Sequence, residues 1–329
     1  VHDTPCADGP RHCLGKHQMP THHTLRADDL VLRYGKTQVV RGVSIALEPG
    51  TVTALVGPNG SGKSTVLRSL ARLHPITDGD ARLGSHETDR PAHQRREHLG
   101  RDGAAAGVPT DRERSISLLS PREFARVVTL FSQTRPSPQG VTVREVVTFG
   151  RHPYRRRFAG LDAADRRAIE HALTITGLQL MAERPAGELS GGELQRVWLA
   201  SCLAQDTAIV LLDEPTNHLD LRYQVEVLDL VRGLADDHGV AVGVVLHDLD
   251  QAAGVADTLA LMRSGHIYAL GPPPEVLTAE HINEVYEITV RVRYDAAAGR
   301  LRIDPTARRP GSWSDPPVHT LPNESENLR

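Results

Sequence analysis

The chain has 329 residues, 39% of them hydrophobic, and a formal net charge of −3. This length allows one large or two medium domains with a real core, and the near-balanced charge does not indicate a nucleic-acid surface or a basic membrane-binding face. No apolar run approaches the roughly 18 residues of a membrane span, and three cysteines are too few for a disulfide framework, which favours a reducing compartment.

The first 24 residues predict a disordered leader. They contain five histidines and two cysteines without any hydrophobic period, and the spacing matches no standard zinc site. They also lack the apolar stretch of a signal peptide. Metal binding by this leader, and a start at Met19 instead of Val1, both stay open.

Alternating apolar residues between about 25 and 47 predict short antiparallel strands. An apolar run at 51–56 then ends in the glycine-rich stretch 57–65 and a helical pattern. Such a loop is suited to polyphosphate, because its N–H groups and the helix dipole both favour anions. Lys63 would reach the β- and γ-phosphates, and Ser64 would hold Mg²⁺.

Two features beside this loop have competing interpretations. Tyr34 lies 23 residues before Gly57, where its ring could stack on an adenine, although a core tyrosine is the alternative. Residues 85–117 are rich in charged residues, glycine and proline, and predict a solvated insertion without an assigned function. A helix capped by Ser120 and a buried strand at 127–131 are expected to follow.

Residues from about 140 to 205 predict a mostly helical segment. Asp162 is expected to cap one helix, and Gly177 to close it. Ser190-Gly191-Gly192 opens another helix and provides a second anion-binding end, with an ordinary capped helix as the alternative.

The apolar run 208–212 has the length and composition of a buried parallel strand and ends in Asp213-Glu214. At the carboxyl end of such a strand Asp213 would help to hold Mg²⁺, and Glu214 would orient or deprotonate an attacking water. A helix with apolar residues at 225, 228, 231 and 234 is predicted next. The following apolar run, 240–246, ends at His247, and a polar, disordered tail is expected at 304–329.

Together these motifs resemble the ATPase subunit of ABC transporters over roughly residues 25–295. The matching elements are the A-loop at Tyr34, the Walker A loop at 57–65, the Q-loop at Gln133, the signature at 189–193, the Walker B acids Asp213 and Glu214, the D-loop at 217–220 and the switch His247. The resemblance implies an α/β P-loop NTPase domain spanning 25–303, with a mixed core sheet, an antiparallel β subdomain and an inserted helical subdomain.

The resemblance also implies a set of site residues and two cofactors, ATP and Mg²⁺. Catalytic roles are implied for Lys63, Gln133, Glu214 and His247, and Mg²⁺ ligation for Ser64, Gln133 and Asp213. The residues implied to bind ATP are Tyr34, Gly57, Pro58, Asn59, Gly60, Ser61, Gly62, Lys63, Ser64 and Thr65 of one subunit with Ser190, Gly191, Gly192 and Asp220 of the other. ATP would therefore lie between two subunits, in a homodimer or a pair with a close relative.

Within the family, the stretches 142–154 and 197–205 resemble iron–siderophore importers, while haem and cobalamin importers stay open as alternatives. An importer of this kind implies a membrane permease, an extracytoplasmic substrate-binding protein and a place on the cytoplasmic face of the membrane. Two departures from the family pattern are Glu193 in place of the commonest Gln and Asn217-His218 in place of Ser-Ala. Neither removes a group that the chemistry needs.

Two other classes of protein fit the motifs less well. A soluble ABC ATPase that acts on ribosomes carries two cassettes, whereas this chain has one Walker A loop. A non-catalytic nucleotide-binding module would be expected to lack Glu214 or His247. No nucleic-acid partner is predicted.

Overall fold

The computed structural model describes residues 22–86, 113–132, 138–155, 160–217, 219–295 and 300–306. Its strands are β1 (His22–Tyr34), β2 (Thr37–Leu47), β3 (Val52–Val56), β4 (Asp78–His86), β5 (Arg114–Ser115), β6 (Val128–Phe131), β7 (Ile209–Asp213), β8 (Ala241–Val245), β9 (Thr258–Arg263), β10 (His266–Gly271), β11 (Val290–Asp295) and β12 (Arg300–Pro305). Its α-helices are α1 (Lys63–Leu70), α2 (Pro121–Ala125), α3 (Val143–Thr148), α4 (Ala163–Ile175), α5 (Gly191–Ala204), α6 (Leu221–Asp236), α7 (Leu249–Val255), α8 (Pro273–Val276) and α9 (Ala279–Tyr286).

A mixed sheet carries the chemistry-bearing strand ends. In the described part of the chain its strands lie in the order β10-β9-β3-β8-β7-β6, and all of them are parallel to their neighbours except β10. β3, β7 and β8 are buried along their whole length, as expected of parallel strands covered on both faces. These strands therefore end at one edge, which brings together the segments that follow Val56, Leu212 and Val245.

A second, antiparallel sheet covers one face of the first. It has the order β2-β1-β4-β5 among the described residues. Leu30 of β1, Leu67 of α1 and Leu211 of β7 belong to one buried cluster, so α1 is packed between the two sheets. On the opposite face, Val231 of α6 and Ile282 of α9 pack against the central strands in another cluster. This arrangement confirms the predicted fold class.

The helical subdomain has its own apolar core, built from α3, α4 and α5. The predicted helix starts at Ser120, Asp162 and Ser190 are confirmed, and each is a capping box in which the acid three residues on returns a hydrogen bond to the cap. No helix within the described ranges is long and apolar enough to cross a membrane.

The folded segments extend slightly beyond the predicted boundaries. β1 starts at His22 because it pairs with β4 as far as His86, and β12 reaches Pro305 because it pairs with Val290 of β11. The predicted insertion 85–117 is also folded at its end, where β5 pairs with β4 and Ile116 is buried. Most of the predicted leader, residues 87–112 of the insertion, and the tail after 306 lie outside the described residues.

The predicted apolar stripe of α6 is partly wrong. Val231 and Leu234 are buried as predicted, but Val225 is 50% exposed, and Val227 lies on the buried face in its place. An α-helix turns by about 100° per residue, so residues three apart differ by about 300° and do not point in the same direction. Residues 225, 228, 231 and 234 therefore do not share one face of the helix.

A buried ion pair holds the helical subdomain to the segment after α3. Arg151 Nε donates to Asp165 Oδ1 at 2.8 Å, and the side chains of Arg151 and Asp165 are each 5% exposed. Arg151 Nη1 also donates to the Ala204 carbonyl at 2.9 Å. The guanidinium carbon also lies 3.9 Å from the centre of the Tyr154 ring. Arg151 therefore joins α4, α5 and the 3₁₀ turn Phe149–Tyr154.

We expect Arg151→Met to lower the free energy of unfolding by about 3–5 kcal/mol, because it leaves the Asp165 carboxylate buried without its counter-charge. Arg222→Met is the matched control, since Arg222 is 81% exposed and pairs with Glu226 on the same helix face. That change should cost far less, because solvent screens an exposed pair. Urea unfolding of both variants measures the difference, and equal losses would contradict the structural role of Arg151.

Candidate functional site

The loop between β3 and α1 is wedged against β9. Gly57 has φ +144°, and a Cβ there would lie 2.2 Å from the Met262 carbonyl oxygen. Gly62 has φ +103°, and its Cβ would lie 3.0 Å from Val40 Cγ2. Ser61 fixes the loop further, because its N–H donates to the Pro58 carbonyl and its own carbonyl accepts from Gly265 N–H. Both glycines are therefore required by backbone conformation and by close approach.

Lys63 begins α1 and is buried inside the curl of this loop. Its Nζ donates to the carbonyl oxygens of Gly57 at 2.7 Å and Pro58 at 2.9 Å. Burial lowers the pKa of the Lys63 ammonium, and the nearby Glu214 and Asp213 carboxylates oppose that shift. An ammonium has three N–H donors. The two carbonyls leave one donor for a ligand in the loop.

Asp213 ends β7 beside the first turns of α1. Its Oδ2 lies 3.6 Å from Arg68 Nη2, and the Ser64 side chain lies on the same side of α1, near the carboxylate. Burial raises the pKa of Asp213, whereas Ser64 and Arg68 oppose the shift. The other oxygen, Oδ1, is buried and has no hydrogen-bond partner in the described part of the chain. A hydroxyl beside an unpartnered carboxylate oxygen fits the preference of Mg²⁺ for hard oxygen ligands.

Glu214 follows with a left-handed backbone, φ +56°. Its Oε1 lies 2.5 Å from His247 Nε2, and its Oε2 accepts from Asn217 Nδ2. Its N–H donates to the Val245 carbonyl at 3.2 Å, which ties the end of β7 to the end of β8. The structure therefore brings Lys63, Asp213, Glu214 and His247 to one edge of the sheet, as the order of the motifs predicted.

Two contacts in this group were missed by the sequence reasoning. Arg68 lies four residues after Ser64 on α1, and this spacing places both side chains on the face toward Asp213. The i,i+4 spacing was a usable signal. Asn217 was noted only as a departure from the family pattern, and its contact with Glu214 depends on how the chain turns after β7.

Tyr34, Ser190 and Asp220 have only local contacts among those of the described residues. Tyr34 is 49% exposed, and the centre of its ring lies 4.4 Å from that of the His74 ring. Ser190 Oγ donates to Glu193 Oε2 at 2.8 Å, and Asp220 caps α6 by accepting from Tyr223 N–H at 3.0 Å. Gln133 and His218 are outside the described residues, so their roles stay predictions.

Comparisons with known proteins place the chain in a family. The family model described as "ABC transporter" matches residues 40–217. The ferric enterobactin transport ATP-binding protein FepC of Escherichia coli is 37% identical over 86% of this chain and 94% of its own length. The iron(3+)-hydroxamate import ATP-binding protein FhuC of Bacillus subtilis is 34% identical over 83% of this chain and 91% of its own.

The fold has a counterpart among solved structures. A chain from an ABC transporter in an inward-facing conformation superimposes with a TM-score of 0.68, at 22% identity, over 87% of this chain and 99% of that one. At this identity the likeness concerns the fold alone.

Gly57→Ala should lower the free energy of unfolding by about 2–5 kcal/mol, the sum of about 1–2 kcal/mol of backbone strain and about 1–3 kcal/mol of overpacking against Met262. Gly60→Ala is the matched control, because Gly60 has φ +79° but a Cβ there would meet no atom of the described residues within 4 Å. We expect it to cost only the backbone strain of about 1–2 kcal/mol. Chemical unfolding of the two variants tests this, and a Gly60→Ala loss as large as that of Gly57→Ala would show that close approach is unimportant.

Proposed function

We propose that this chain, which belongs to the ABC transporter family and hydrolyses ATP to drive transport, powers the import of ferric siderophores. The cargo is supported by the two bacterial relatives, whose names specify ferric enterobactin and iron(3+)-hydroxamate. The stretches 142–154 and 197–205, which resemble importers of this kind, support it as well. The single observation that carries the proposal is the similarity to FepC over nearly the whole length of that protein.

The phosphate loop is the proposed place of the ATP phosphates. Lys63 has one N–H donor beyond those used by Gly57 and Pro58, and a phosphate there would supply the anion that a buried ammonium needs. The loop N–H groups and the start of α1 add further positive potential. Asn59 and Gly60 are exposed at the tip, so the loop is open to a nucleotide.

Ser64 and Asp213 are the groups that we propose for Mg²⁺. When bound, the ion would neutralise negative charge on the β- and γ-phosphate oxygens. Glu214 is proposed to orient or deprotonate the attacking water, because a carboxylate at this strand end can accept its proton. Asn217 and His247 contact its two oxygens and hold it in one orientation.

One chain is proposed to provide only half of each ATP site. No hydrogen bond, ion pair or ring contact between described residues joins Ser190 or Asp220 to the phosphate loop. The start of α5 nevertheless presents N–H groups suited to an anion. We infer that a second copy, or a close relative, supplies Ser190, Gly191, Gly192 and Asp220 to the nucleotide held by the first.

The transporter complex implies permease partners, and we propose that the permease binds beside the helical subdomain on the cytoplasmic face of the membrane. A groove between α5 and the core sheet is lined by Leu73, Phe149 and Trp198. Leu73 and Phe149 are 69% and 52% exposed, so an apolar permease segment would bury them. β6 lines this groove, and Gln133, the proposed Q-loop residue, comes two residues after β6 in the sequence. An extracytoplasmic binding protein would deliver the cargo to the permease.

Deleting the gene in its host should abolish uptake of radiolabelled ferric siderophore and impair growth under iron chelation. Wild-type protein should restore uptake, whereas Glu214→Gln should not, because it keeps the shape of the site and removes the carboxylate. A deletion strain that takes up iron chelates normally but fails on cobalamin or haem would overturn the siderophore proposal while leaving the family unchanged.

A further inference from the structure

Gln251 lies in the first turn of α7, four residues after His247, and both ends of its amide are engaged. Its Oε1 accepts from Thr216 Oγ1 at 3.2 Å, and its Nε2 donates to Gln224 Oε1 at 2.9 Å. Its backbone N–H donates to Asp248 Oδ1 at 3.0 Å, which fixes its place at the start of the helix. The side chain therefore joins α7 to the loop after β7 and to α6.

The loop that Gln251 contacts is the one that carries Glu214. Glutamines from two other helices hold the same loop: Gln195 of α5 donates to the Pro215 carbonyl at 2.8 Å, and Gln224 of α6 donates to the Leu219 carbonyl at 3.0 Å. Three amides from three helices thus secure the loop at Pro215, Thr216 and Leu219.

The backbone of Glu214 needs this support. Glu214 has φ +56°, a left-handed backbone conformation that residues other than glycine adopt only at a cost in conformational energy. Such a conformation persists only where the surrounding structure holds it in place. The contacts to Asn217 and His247 orient the carboxylate, and the Asn217 N–H closes the turn onto the Glu214 carbonyl at 3.3 Å. The glutamine contacts start at the next residue.

We propose that Gln251 is a positioning residue for ATP hydrolysis, which keeps the loop 214–217 in register with the segment that carries His247. The chemistry favours an amide, because the site needs an acceptor for the Thr216 hydroxyl and a donor for Gln224 in one side chain. A carboxylate would place an oxygen against Gln224 Oε1, and an aliphatic side chain would satisfy neither partner. The inference rests on the proposed roles of Glu214 and His247 and adds the residue that aligns them.

The test compares steady-state ATP hydrolysis by the full-length chain carrying Gln251→Leu or Gln251→Glu. We expect kcat to fall about tenfold in both, with the KM for ATP unchanged within about twofold, because the phosphate loop and Lys63 are not touched. Gln251→Glu has the shape of glutamine, so it still tests the proposal if Gln251→Leu fails to fold. Thr216→Val in the Gln251→Leu background should add less than about a further twofold loss, since both changes remove the same hydrogen bond.

Asp250→Ala is the matched control on the same helix turn. Asp250 Oδ1 accepts from Ile303 N–H of β12 at 3.0 Å, so its contact is with β12. This variant should lower the melting temperature and keep the wild-type kcat. The proposal is overturned if both Gln251 variants keep the wild-type kcat and lose only stability, or if KM alone rises. Glu214→Gln assayed in parallel separates a failure of the Gln251 proposal from a failure of the proposed function. Full turnover in that variant would refute the catalytic role of Glu214 itself.

Discussion

Burial of the Lys63 ammonium at the carboxyl edge of the core sheet is the constraint on which the site depends. A buried cation must have its N–H donors paired and an opposite charge nearby. The carbonyls of Gly57 and Pro58 pair two of the three donors, and they can turn inward only because Gly57 approaches Met262 without a side chain. Asp213 and Glu214 meet the second, and both are brought there by the parallel pairing of β3, β8 and β7.

The same strand pairing explains how segments far apart in the sequence contact the Glu214 carboxylate. Glu214 ends its strand with a left-handed backbone, and its N–H reaches the Val245 carbonyl of the neighbouring strand. His247, which follows the end of β8, therefore lies opposite Glu214. We propose that the glutamines of α5, α6 and α7 keep Glu214 aligned with His247. A movement of the helical subdomain or of α7 would then change the position of Glu214.

Much of this could be predicted from local patterns. Apolar runs such as 208–212 and 240–246 indicated buried parallel strands, and capping residues such as Asp162 marked helix starts, because both signals depend on near neighbours in the chain. The role of Gln251 could not be predicted, since Thr216 is 35 residues away and the contact exists only in the folded chain. β10 was missed as well, because its burial alternates without a long apolar run.

The central claim, that each ATP site is shared between two subunits, is tested most directly by size-exclusion chromatography of Glu214→Gln with saturating ATP and Mg²⁺. The variant should elute as a dimer, because it binds nucleotide without hydrolysing it. Adding Gly191→Asp should return it to a monomer that still binds ATP, since this carboxylate would face the partner's phosphate. Among the described residues outside its own helix turn, a Cβ at Gly191 would meet no atom within 4 Å. A monomeric Glu214→Gln, or a double variant that still dimerises with ATP, would contradict the shared site.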